Sequence, residues 1–80
     1  MEKRTFSDPV IPATFRATHK PFKITPQKNI RGDVDFLVEG EGIDGALDEL
    51  YSNVSVGVLD FIKELKSLRS SIFALKGDRR

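Results

Sequence analysis

Eighty residues allow one small domain, and a chain of this length buries only about 60% of the surface it exposes when unfolded. Thirteen Lys and Arg against twelve Asp and Glu leave a net charge of +1, too even to announce a nucleic-acid or membrane partner. Cysteine is absent, which excludes disulfides, thiolate zinc sites and cysteine nucleophiles together, and the longest uncharged stretch, Leu50 to Leu59, is far below the ~18 apolar residues of a membrane span.

In chain order, residues 1–12 contain Pro9 and Pro12 and show no periodicity, so a flexible extended arm is expected there. The domain proper is expected over 13–77, with a short basic tail at 78–80. Thr14–Thr25 is β-prone, with Phe15, Phe22 and Ile24 as its apolar members. Pro21 cannot donate a ladder hydrogen bond, so this segment is expected at a sheet edge or broken there. Pro26–Asn29 reads as a turn. Ile30, Gly32, Val34, Phe36 and Val38 then alternate with Asp33, Asp35 and Glu39, the period of two expected of a strand with one buried and one wet face. A hairpin is the simplest pairing of these two segments.

The period then changes. Asp44 is placed to cap a short helix from Gly45 to about Asn53, whose stripe is Ile43, Leu47, Leu50 and Val54, with Ala46 and Tyr51 alongside. Ser55 is the expected N-cap of a long helix reaching Lys76, with Val54 and Leu59 as a hydrophobic staple and Gly77 at the left-handed C′ position. Phe61, Leu65, Leu68, Ile72 and Leu75 form a heptad-like seam on that helix. Leu59, Ile62 and Phe73 form a second apolar group, partly divided from the seam by Lys66 and Arg69. The apolar arc exceeds half the circumference, wider than a surface helix needs. Either the hairpin takes one group and the short helix the other, or one group meets a second copy or another protein.

The near-neutral total conceals three blocks. Residues 1–31 carry +5, residues 32–60 carry −8 with no Lys or Arg, and residues 61–80 carry +4. Compensation across one small surface is the simpler expectation; pairing between subunits is the other.

Motifs that carry chemistry are few. Gly40-Glu-Gly-Ile-Asp-Gly45 matches GxGxxG between a strand and a helix, but Glu39, Glu41 and Asp44 would repel a pyrophosphate, and no further parallel strands follow. The glycines are better explained as strand exit and turn. No register of the acidic stretch satisfies the EF-hand pattern, since a position-6 glycine at Gly42 or Gly45 puts Leu37 or Gly40 at position 1. His19 is the sole histidine, so zinc sites and nucleophile–base pairs lack their parts, and a surface position in a polar strand is expected for it. Arg31-Gly-Asp33 spells an adhesion tripeptide but reads as turn and strand. Arg16, Lys20, Phe22, Lys23, Lys28 and Arg31 interleave cations with an aromatic on the hairpin, the composition of a surface that stacks bases and neutralises phosphates.

The run from Val34 to Phe73 resembles a family of small uncharacterised proteins, a domain of unknown function, encoded in bacterial and phage genomes. Shared features are an aromatic-bearing strand, an acidic short helix ending near an aromatic, a Val-rich connection and a final helix with a Lys/Arg-Leu-Arg/Lys core. The resemblance implies a strand–short helix–long helix order and brings no activity, cofactor or catalytic residue.

The expected fold is α+β: a small antiparallel hairpin or three-stranded sheet packed by a short helix and a long C-terminal helix. The expected function is a non-enzymatic, cytoplasmic interaction or assembly module, self-associating as a homodimer or binding another protein through Phe61, Leu65, Leu68, Ile72 and Leu75. A nucleic-acid accessory protein using the basic hairpin is the alternative. No cofactor, metal, membrane or small-molecule substrate is indicated.

Overall fold

The computed structural model describes residues 1–52 and 55–76. Its elements are β1 (Glu2–Phe6), α1 (Val10–Ala17), β2 (Lys23–Lys28), β3 (Val34–Gly40), α2 (Ile43–Tyr51) and α3 (Val58–Lys76). The strands form one antiparallel sheet in the order β1-β3-β2. This is the α+β class read from the sequence, with the three-stranded sheet, the short acidic helix and the long final helix all present.

The central strand β3 sets the two faces. Val34, Phe36 and Val38 are buried, and the antiparallel register puts Phe6 opposite Phe36 and Ile24 opposite Val38. Residues directly opposite one another share a face, so these side chains form the inner face. Glu39 with Lys3 and Lys23, and Leu37 with Thr5 and Thr25, form the outer one.

The helices fill the inner face in two contiguous clusters. Ile43, Ala46 and Leu47 of α2 pack with Phe15 and Val38. Leu68 of α3 packs with Ala13, Val34 and Phe36, with Phe61, Leu65 and Ile72 against them. Helix α1 contributes to both clusters, through Phe15 and Ala13 respectively. Phe15 also meets Phe6 and Phe22 edge to face, at centroid distances of 6.2 and 5.1 Å, in the orientation the ring quadrupoles favour.

Several sequence expectations require correction. The first twelve residues are not an arm: they supply β1 and the opening of α1, because β3 presents a second edge that only β1 fills. Pro12 misleads as a breaker. It lies in the first turn of α1, where its missing N–H has no intrahelical partner to lose, and its ring is buried. Thr14–Ala17 is accordingly helix, not strand. Pro26–Lys28 belongs to β2, on an edge strand where proline is tolerated.

The turn lies instead at Asn29–Asp33. The Asn29 side-chain oxygen accepts the N–H groups of Arg31 and Asp33 at 2.9 and 3.0 Å, and Gly32 takes φ 89°. Strand β3 therefore begins at Val34, and Ile30, expected on its buried face, is fully exposed. Helix α2 starts at Ile43 after a left-handed Gly42 (φ 81°), so Asp44 lies in its first turn and is not its N-cap. Helix α3 starts at Val58, where the Gly57 carbonyl accepts the Phe61 N–H at 2.9 Å, three residues beyond the expected Ser55 cap. Val54, Gly77 and the tail at 78–80 lie outside the described residues.

Candidate functional site

Among the described residues, the outward face of α3 is the main unpartnered apolar feature. Its seam turns inward: Leu68 is buried at 1% exposure, and Phe61, Leu65 and Ile72 are half-buried against the same cluster. Leu75 is more exposed, near the helix end. Four of the five seam residues expected at an interface are thus engaged within the chain. A seam-to-seam dimer would have to withdraw Leu68 from the core it completes.

The second apolar group has the opposite fate. Leu59 is 81% exposed, Phe73 62% and Ile62 40%, and Val58 beside them is 70% exposed. Among the described residues neither the sheet nor the short helix covers this group: α2 packs over the Val38 end of the sheet with Phe15, while α1 lies along α3. Leu59, Ile62, Lys66, Arg69, Phe73 and Lys76 follow one another at spacings of three and four, so they form one stripe along the helix. From Leu59 to Phe73 the stripe is apolar at both ends and cationic in the middle, and Lys76 beyond Phe73 adds a third cation, which faces Asp33.

The charge blocks compensate largely within the chain. Lys3 meets Glu39 at 3.9 Å, Arg4 binds Asp44, Lys20 meets Glu49 at 2.6 Å and Lys76 lies 4.0 Å from Asp33. Each pair joins a basic block to the acidic one. Arg16 stands 3.9 Å from Glu64 of α3. Among the described residues no carboxylate lies within 4 Å of Lys66 or Arg69.

The residues of the nucleic-acid alternative are not gathered on one surface. Arg16 and Lys20 lean toward carboxylates of α3 and α2. Lys23 and Lys28 sit five positions apart on β2, and so point to opposite sheet faces. Arg31 lies in the β2–β3 turn. Phe22, the aromatic of the set, is half-buried against Phe15 and Gly40.

The remaining motifs resolve into structural roles. Gly40 carries the Phe22 ring close overhead, since a Cβ there would stand 2.6 Å from Phe22 Cδ1. Gly42 supplies the left-handed entry to α2, and Gly45 is unconstrained. These three glycines account for the GxGxxG pattern without a phosphate. His19 is exposed as expected, but it ends a helix, not a strand. It occupies C′ of α1 at φ 62°, with its N–H bonded to the Arg16 carbonyl at 3.1 Å and the Lys20 N–H to the Phe15 carbonyl at 2.9 Å. That pair of bonds is the Schellman motif.

A shallow cleft of about 240 Å³ lies between the β2–β3 turn and the end of α3, lined in part by Asn29, Arg31, Asp33, Asp35 and Lys76. Within it Lys76 faces Asp33, and the Asn29 amide donates to Asp35 at 3.2 Å. Among the described residues no three His, Asp or Glu side chains converge as metal ligands, and no helix is long and apolar enough to cross a membrane.

The fold and the exposed stripe together define a two-layer α+β domain, with three helices on one face of an open three-stranded sheet and an amphipathic final helix. Comparison with protein-family models, with curated proteins and with solved structures finds no match.

Proposed function

We propose that this protein is a non-enzymatic interaction module that engages another protein through the outward face of α3. The observation that carries this reading is the exposure of Val58, Leu59, Ile62 and Phe73 on one helix. Scattered surface leucines are ordinary, but a run of large apolar side chains along one element of a small domain is the mark of a docking surface. An amphipathic helix face is also a recurrent recognition element, read through anchors three and four residues apart. The lone histidine serves a helix end, and at the cleft Lys76 faces Asp33.

The test is selection from a displayed library of random amphipathic helices, panned against the intact chain and counter-screened on a Leu59→Ser, Phe73→Ser double variant. Both positions are exposed, so the variant should keep its circular dichroism spectrum and melting temperature. Clones that bind the wild type and lose the double variant support the reading. Recovery only of clones that bind both proteins equally would refute it.

A further inference from the structure

We infer that the partner of the α3 stripe is an acidic amphipathic helix of another protein, apolar at both ends and carboxylate-bearing at its centre. The inference rests on the reading of α3 as the docking element and names the chemistry it selects.

The order of residues along the stripe carries the argument. From Leu59 to Phe73 it spans fourteen steps, roughly 21 Å of helix, with Leu59 and Ile62 at one end, Phe73 at the other, and Lys66 and Arg69 between them. A partner helix lying along it meets apolar surface, then two cations, then apolar surface again. Carboxylates opposite Lys66 and Arg69, flanked by apolar side chains, complete that pattern. Neither cation has a carboxylate within 4 Å among the described residues, so the partner need not break a native pair.

A second copy of this chain fits poorly. An antiparallel two-fold pairing that sets Ile62 against Phe73 also sets Lys66 against the partner's Arg69, twice. A parallel pairing stacks Lys66 on Lys66 and Arg69 on Arg69. Either way four cations meet at the centre of the interface, and like charges so placed oppose association. Of the acidic block, Asp33, Glu39, Asp44 and Glu49 already face side-chain cations of their own chain and would have to leave them to relieve this repulsion. A membrane surface fits less well too. Helices that lie in the interface carry their cations on the polar face, opposite the buried apolar one, whereas Lys66 and Arg69 interrupt the middle of this apolar stripe.

The experiment uses three fluorescent helical peptides about 20 residues long, roughly 30 Å as helices. All carry leucine anchors at both ends, and they differ only in two central stripe positions, which hold Glu, Leu or Lys. Anisotropy titrations with the intact chain should rank Glu over Leu over Lys, with about tenfold or more between the extremes. Added salt should narrow that gap. A Lys66→Glu, Arg69→Glu variant, altered only at exposed positions, should reverse the ranking.

A Leu peptide that binds tightest, and loses binding on Leu59→Ser with Phe73→Ser, would overturn the acidic partner while leaving the docking role of α3 intact. Tighter binding to phosphatidylserine vesicles than to the Glu peptide would overturn the inference in favour of a membrane. A dimer in sedimentation that Phe73→Ser dissolves would overturn it in favour of a second copy. If no peptide binds, the inference fails, and panning that still returns clones dependent on α3 would separate that failure from failure of the broader reading.

Discussion

The carboxylate of Glu2 accepts the backbone N–H of Ile43 at 2.9 Å through one oxygen and that of Gly42 at 3.3 Å through the other. A residue on β1 thus caps a helix some forty positions later. Helix α2 has no capping side chain at its own N-cap, which is Gly42. Two donors at its start would otherwise lack an intramolecular partner, and the negative charge complements the positive end of the helix dipole. Arg4, two residues along β1, binds Asp44 in the first turn of the same helix, so one strand both caps and clamps α2.

Glu2→Ala should therefore lower stability by about 0.5–2 kcal/mol, the usual cost of losing a helix cap. Glu2→Gln, which keeps an acceptor but not the charge, should lose less. Urea unfolding of the three proteins checks both statements, and equal midpoints for wild type and Glu2→Ala would contradict them.

His19 holds a left-handed conformation at the C′ position of α1, where a side chain is disfavoured and glycine is the usual occupant. Its burden is conformational. His19→Gly should raise stability by about 0.5–1 kcal/mol, the relief of that strain less the greater freedom glycine has when unfolded. A rise in melting temperature is the expected observation; a fall would mean the imidazole makes a contribution its exposed position conceals.

Gly40 lies under the Phe22 ring with no room for a methyl group. Gly40→Ala should force the Phe22 ring to shift, costing about 1–3 kcal/mol as overpacking does. Phe22→Leu in the same background should recover part of the loss, because the two sites share one contact and their effects will not add.

Leu68 is the most deeply buried side chain of α3. Leu68→Ala removes the knob between Ala13, Val34 and Phe36 and should cost about 2–5 kcal/mol. Against the ~5–15 kcal/mol of an ordinary domain, that loss leaves little margin in a chain of eighty residues. Phe73→Ala, 62% exposed on the opposite side of the helix, should change the melting curve by no more than about 0.5 kcal/mol. The contrast between the two variants measures which face of α3 belongs to the fold.

The class of fold, the strand through Val34, Phe36 and Val38, the short acidic helix and the long final helix were all legible in the sequence. Those segments state their period over enough residues to fix which face is apolar, and period is a local property. The two apolar groups of α3, with Lys66 and Arg69 partly dividing them, were legible for the same reason. What the linear chain could not disclose was β1, α1 and their consequences. Strand β1 has four exposed residues out of five and draws its stability from the free edge of β3, while α1 hides Pro12 in its first turn and earns its helical state by packing Phe15 and Ala13 into two clusters. Only tertiary packing decided that α1, not α2, would lie beside α3, and therefore that the Leu68 face would close the core while the Leu59–Phe73 face remained open. That choice rests on which surfaces fit together across distant segments, and no local pattern encodes it.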